Sequence, residues 1–217
     1  MIAPTLEVRP VPVGPFQANS FLVRSGEDAI VIDPGAEPER LASLLDAWDV
    51  SPHAVVLTHA HLDHVGGVAG LVRRFGMPVH LHRADLPLYE GAPEQGAMFG
   101  VRVDRPPPPD EWLEHGQVLT FGRIRLEVRH APGHSPGGVV LVAEAEAFVG
   151  DCVFAGSIGR TDLPGGDTAT LLRSIREQIL TLPPSTTLYS GHGPATSVAV
   201  EAESNPFVGR GRPGGFS

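Results

Sequence analysis

The sequence predicts a layered α/β domain, two β-sheets packed together with helices on the outer faces. Three observations carry that prediction: short apolar runs bounded by Gly, Pro and Asp turn signals, stretches of helical spacing after them, and a recurrence of the strands-then-helix order in the second half of the chain. At 217 residues there is ample length for a core.

The elements follow in order. Ser20–Arg24 and Ala29–Ile32 flank the turn Ser25-Gly26-Glu27-Asp28 and read as a hairpin ending at Asp33-Pro34-Gly35. Leu41, Leu44, Leu45 and Trp48 recur at i, i+3, i+4 and i+7, one buried stripe of a helix. The run Ala54–Leu57 is a strand, and Val65, Val68, Leu71, Val72 and Phe75 give a helix closed by Gly76 with Pro78 beyond it. Residues 83–115, with three glycines and the run Pro106–Pro109, read as a long irregular insertion stiffened by polyproline. Strands then resume: Ile124, Leu126 and Val128 alternate with charged residues, and Val139–Val142 and Phe148-Val149 follow. Asp167-Thr168 caps a helix carrying Leu171, Leu172, Ile175, Ile179 and Leu180, and the strand Thr187–Tyr189 leads into Gly191-His192-Gly193-Pro194. Residues 1–203 are expected to form one domain, and 204–217, rich in Gly, Pro and Arg, a mobile tail.

Composition narrows the function. A formal net charge of −9 argues against nucleic acid or an anionic membrane surface as partner. The single cysteine, Cys152, excludes an intramolecular disulfide framework and a thiolate-rich zinc site, so any metal is held by nitrogen and oxygen. The N-terminus lacks the pattern of a signal peptide, and no run approaches the ~18 apolar residues of a membrane span. The expectation is a soluble cytoplasmic protein.

The chemistry concentrates in Thr58-His59-Ala60-His61-Leu62-Asp63-His64, immediately after the strand at 54–57. Asp and His are mostly left near the surface unless something pairs with them, so this density reads as half of a metal site. In extended chain i and i+2 face the same way, so His59 and His61 can reach one ion while Ala60 points into the sheet. Where a helix begins, Asp63 and His64 can swing to a neighbouring position, and Gly66-Gly67 let another backbone pass close by. Three further candidates, His134, Asp151 and His192, sit among glycines and prolines at apparent strand ends, where a rigid scaffold presents side chains. His53, His115 and His130 lack that setting, His80 and His82 have metal-like i, i+2 spacing on a strand-like segment but read as structural, and Cys152 reads as packing on the face opposite Asp151.

This set resembles the metallo-β-lactamase fold superfamily, whose His-x-His-x-Asp-His motif is followed by a later His, an Asp and a final His; all seven positions match. The resemblance implies an αββα sandwich of two mixed β-sheets, and two divalent metal ions, zinc first with iron or manganese as alternatives. By the family pattern His59, His61 and His134 hold one ion, Asp63, His64 and His192 the other, and Asp151 bridges them. Asp63 then acts as the catalytic residue that orients a metal-bridging hydroxide and accepts its proton.

Within the superfamily the chain looks most like the short glyoxalase II branch, hydrolases of small thioesters of the hydroxyacylglutathione type. Such chemistry suits the ligand set, since a thiolate of pKa about 8.5 leaves without a separate general acid. Arg160 aligns with a basic residue that this branch uses to hold a glutathione carboxylate. Only 25 residues follow His192, where full-length glyoxalase II adds a helical domain, so the glutathione carrier is left open. Gly159-Arg160-Thr161-Asp162 resembles instead the persulfide dioxygenase branch, which implies an alternative: a single iron on His59, His134 and Asp151. A non-catalytic metal-binding module is the third reading.

Overall fold

The computed structural model describes residues 6–210; the Gly/Arg/Pro stretch 211–217 of the expected tail lies outside the described residues. The chain divides into two compact units, Met1–Leu113 with Val118–Arg125, and Glu114–Gln117 with Leu126–Ser217.

The first unit is built on a mixed sheet of β1 (Glu7–Val13), β2 (Ala18–Ser25), β3 (Asp28–Ile32), β4 (Ser51–Val56), β5 (Val79–His82) and β6 (Glu111–Leu113), in that order across the sheet. β1, β2 and β3 are antiparallel, and β3 to β6 are parallel. β1 has no counterpart in the sequence reading because Pro10 and Pro12 break its pattern; at a sheet edge proline is tolerated. Helices α1 (Pro38–Trp48), α2 (Leu62–Val65), α3 (Val68–Phe75), α4 (Leu86–Glu90) and α5 (Ala92–Met98) complete the unit, together with the short strand β7 (Val118–Phe121). The predicted stripe of α1 is buried as expected: Leu41 and Leu45 lie wholly inside and Leu44 and Trp48 pack against the same core. Each such leucine contributes roughly 1.5–3 kcal/mol by leaving water.

Two differences from the sequence reading have physical causes. The helix expected over 65–75 is broken into α2 and α3 at Gly66-Gly67, because the Gly67 N–H turns away to donate to the Pro34 carbonyl at 2.7 Å. Of the insertion 83–115, residues 83–98 are helical, with Pro87 and Pro93 in the first turns of α4 and α5, where a missing N–H costs nothing. The proline run itself is irregular and tied down: Tyr89 Oη donates to the Pro107 carbonyl at 2.8 Å, and burial raises the Tyr89 phenol well above its ordinary pKa.

In the second unit the sheet order is β14 (Thr196–Ser197), β13 (Thr187–Ser190), β10 (Glu146–Gly150), β9 (Val139–Ala143), β8 (Ile124–His130), with β10 and β13 parallel and the rest antiparallel. A separate hairpin is formed by β11 (Val153–Phe154) and β12 (Ser157–Ile158). Helix α6 (Thr168–Ser174), capped by the Asp167 side chain as predicted, runs on through a π-helical turn to Ile179, and α7 (Val198–Ser204) follows. Val140, Val149, Cys152, Leu171, Ile175 and Leu188 form this unit's core. Residues 205–210 of the expected mobile tail are instead folded onto α7: Asn205 and Val208 are buried, and the Arg210 N–H donates to the Ala202 carbonyl at 2.9 Å.

Candidate metal centre

In the first unit the chain leaves two adjacent parallel strands at their C-terminal ends, β3 into Asp33-Pro34-Gly35 and β4 into the histidine turn. This edge is where open α/β sheets place ligands. Ala60 points into the core as expected, and His61 is extended before α2 begins, so His59 and His61 precede the helix while Asp63 and His64 lie within it. The rings of His59 and His61 are 5.0 Å apart, those of His59 and His64 4.1 Å, and all three histidines are buried. Asp63 is the more accessible residue, its side chain 19% exposed and one carboxylate oxygen 3.9 Å from His64 Nε2.

What orients these rings is a residue the sequence reading did not assign. Asp33, wholly buried in the left-handed region at φ 49°, accepts from the Thr58 N–H at 2.7 Å, from the Thr58 hydroxyl, and from His64 Nδ1 at 3.0 Å. The Thr58 hydroxyl has one proton, given to Asp33, so at 3.1 Å it must accept from His59 Nδ1. Both rings therefore carry their proton on Nδ1 and present Nε2. Asp33, His59 and His64 have candidate ligand atoms within 4.8 Å of one another, but the carboxylate of Asp33 is taken up by these donors, which makes it a positioning group. A ligand imidazole held through its other nitrogen by a carboxylate or hydroxyl is the usual arrangement at metal sites. A second carboxylate, the buried Asp85, accepts from the Ala60 N–H at 3.0 Å and braces the histidine turn from the other side. The one signal for Asp33 was its Asp-Pro-Gly stop; Asp85 carried none.

Close backbone approach holds the turn. A Cβ on Gly35 would lie 1.7 Å from the Asp63 carbonyl oxygen, and one on Gly66 2.4 Å from that of Gly35. The room that Gly66-Gly67 were expected to leave is filled by the 33–35 loop.

In the second unit the three predicted residues arrive from separate strand ends. Asp151 follows β10 and His192 follows β13, parallel neighbours joined beyond the sheet by the Gly191 N–H to the Gly150 carbonyl at 2.9 Å. Asp151 Oδ2 lies 3.6 Å from Nε2 of both His134 and His192. That is too long for a hydrogen bond and close to the ~3.4 Å separating two ligand atoms on one tetrahedral ion at about 2.1 Å. His134 Nδ1–H donates to the Arg160 carbonyl at 2.7 Å, so this ring too presents Nε2. Gly159 is required beside it, since a Cβ there would sit 1.8 Å from the Asp151 carbonyl oxygen. Cys152 is buried as predicted, its thiol pushed up to about 12 chiefly by burial. Arg160 does not hold its guanidinium open: Nε and Nη2 each donate to Asp162 at 2.7 Å, and this pairing draws the Asp162 carboxyl down to about 2.

A two-sheet α/β chain with a His/Asp cluster of this kind defines a metal-binding fold class, and the comparisons give the family. The chain belongs to the metallo-beta-lactamase superfamily, whose model matches residues 13–192. It is 38% identical to the hydroxyacylglutathione hydrolase GloC of Haemophilus influenzae, covering 94% of this chain and 98% of that one. Among solved structures, TTHA1623 in a di-iron-bound form is 47% identical with a TM-score of 0.87, covering 93% of this chain and all of the other. The BLEG-1 B3 metallo-beta-lactamase is 39% identical, also at 0.87, covering 93% and 99%. Among the described residues no helix is long and apolar enough to cross a membrane.

Proposed function

We propose that this chain is a binuclear metal-dependent hydrolase of small thioesters of the hydroxyacylglutathione type. His59, His61 and His134 would hold one divalent ion and Asp63, His64 and His192 the second, with Asp151 a ligand to both. The observation that carries the reading is the Nδ1 anchoring of His59, His64 and His134 by a hydroxyl, a carboxylate and a backbone carbonyl, so that Nε2 is the nitrogen each ring would offer a cation. The donor set is all nitrogen and oxygen, which suits zinc first and admits iron or manganese; the di-iron form of TTHA1623 supports the pair of ions. When bound, such ions supply Lewis acidity and lower the pKa of a water from about 15.7 towards about 7.

Asp63 orients the nucleophile and accepts its proton, and its partial exposure leaves it within reach of substrate. No separate acid is needed on the leaving side, because a thiolate departs readily. The likeness to GloC supports the thioester class. Arg160 is the residue for a substrate carboxylate, which must displace Asp162 from the guanidinium fork to bind. The protein works on a small molecule in the cytoplasm, without nucleic acid or membrane as partner.

The likeness to BLEG-1 favours a second reading, β-lactam hydrolysis at the same centre. One set of measurements separates the readings: metal content per chain, and turnover on an S-acylglutathione panel beside a chromogenic cephalosporin. Two metal equivalents with turnover on the thioesters are expected, and His61→Ala should abolish it. Cephalosporin as the better substrate would install the second reading. At most one equivalent, all of it iron, with oxygen consumed on glutathione persulfide would overturn both. Arg160→Ala should raise KM for carboxylate-bearing thioesters with little change in kcat.

A further inference from the structure

Glu201, in the middle of α7, is a wholly buried carboxylate outside the candidate metal centre. Its Oε1 accepts from the Thr196 hydroxyl at 2.6 Å, and its Oε2 from the Gly156 N–H at 3.1 Å and from Asn205 Nδ2 at 2.7 Å. Asn205 spends its other amide proton on the Ser157 carbonyl at 3.0 Å. Gly156, bonded to Glu201, and Ser157, bonded to Asn205, lie at the turn of the β11–β12 hairpin, and Thr196 lies just beyond the His192 turn.

The hairpin and the two residues after it in turn reach His134 and His192. Phe154, in its first strand, sets its ring edge-on to His192 with centroids 6.1 Å apart. Its second strand runs into Gly159, whose N–H donates to the Cys152 carbonyl at 3.2 Å, and then Arg160, whose carbonyl holds His134 Nδ1 at 2.7 Å. The first strand starts two residues after Asp151, and its Val153 carbonyl accepts from Ser190 Oγ at 2.7 Å. A two-residue-per-strand hairpin has little pairing of its own to hold it in place. The tip is fixed from α7.

We infer that Glu201 is a positioning residue for the metal ligands of the second unit, acting through the β11–β12 hairpin on His134 and His192; the inference rests on the metal-site reading above. Hydrogen-bond inventory makes it specific. A Gln at 201 can keep its carbonyl towards Gly156 and Asn205 and turn its amide towards Thr196, whose hydroxyl accepts as readily as it donates, so geometry survives the loss of charge. A Leu of similar size keeps the volume and loses every bond.

The test uses metal-depleted full-length protein titrated with cobalt(II), read by its visible absorption band, and with zinc by calorimetry, beside thermal unfolding of the same samples. E201Q should bind within about threefold of the unsubstituted protein, and E201L about 10–100-fold more weakly with an altered cobalt band, the scale expected for lost ligand support. V198A, which trims a buried core residue of the same helix, should lower stability and leave metal affinity unchanged. Cobalt binding by E201L with unchanged affinity and spectrum would overturn the inference, as would an equal loss in V198A. If E201L does not fold, N205A, which takes one donor each from the Ser157 carbonyl and Glu201 Oε2 and an acceptor from the Phe207 N–H, should show a smaller loss in the same direction; unchanged binding there counts against the inference. An unsubstituted protein that takes up no cobalt overturns the metal-site reading itself.

Discussion

The two groups of candidate ligands are built by opposite means. The first unit delivers four donors from one continuous turn and orients them with side chains: Asp33 on Thr58 and His64, and Thr58 on His59. The second delivers three donors from three separate strand ends and orients them largely with main chain, the Arg160 carbonyl on His134 and the Gly150 carbonyl on the turn before His192. A turn dense in polar side chains needs buried acceptors close by, because each unpaired donor inside costs about 1–3 kcal/mol. Strand ends come already aligned by the sheet and need only their backbones held. The halves should therefore fail to different substitutions.

The largest effect is expected at Asp33. Asp33→Ala strips three donors of their acceptor in a fully buried position, and should cost on the order of 3 kcal/mol in stability and about 10–100-fold in metal affinity, measured by denaturant unfolding and metal titration. A variant that binds metal normally would dissolve the comparison. Next, Gly159→Ala should cost about 1–3 kcal/mol and weaken metal binding, because the added Cβ must push away the Asp151 carbonyl. The neighbouring Arg160→Ala, which leaves the carbonyl holding His134 in place, should not change metal affinity. If 160 proves as sensitive as 159 in that titration, orientation by main chain is wrong for this half.

The smallest effect belongs to a histidine that lacks an anchor. His80 is buried on β5 with no hydrogen-bond partner for Nδ1 among the described residues, and desolvation lowers its pKa from the ordinary 6.5 against the opposing pull of Glu111 and Asp110. A base with a depressed folded-state pKa is wholly compatible with folding above pH 6.5, and stability drains away as the pH falls from there towards the folded value. His80→Leu should remove that dependence, so that it loses less stability than the unsubstituted protein between paired urea melts at pH 7.5 and 5.5.

The same contrast explains what could be read from the chain alone. The histidine turn was legible because its donors are adjacent in sequence, and α1, α3 and α6 because their apolar residues keep a helical period with capping signals at Gly76 and Asp167. His134, Asp151 and His192 were visible only as polar residues among glycines and prolines, and their joint role came from the family pattern. Asp33, Asp85 and Glu201 stayed hidden because a single buried carboxylate has no periodicity, and its partners lie 25 or more residues away or across a helix. β1 was obscured by its own prolines. The helical part of 83–98 was obscured by Gly and Pro at positions where a short helix begins and ends, which without contacts look like loop.

The interlock of Gly35, Asp63 and Gly66 sets a limit on transplantation. A heptapeptide moved onto the edge of some other sheet would bring its imidazoles but leave behind the loop that seats them, and neither backbone can take a methyl group where the two cross. The smallest portable piece of this centre is thus a pair of neighbouring parallel strands with both of their exits. A designer grafting it must copy the crossing first and the histidines second.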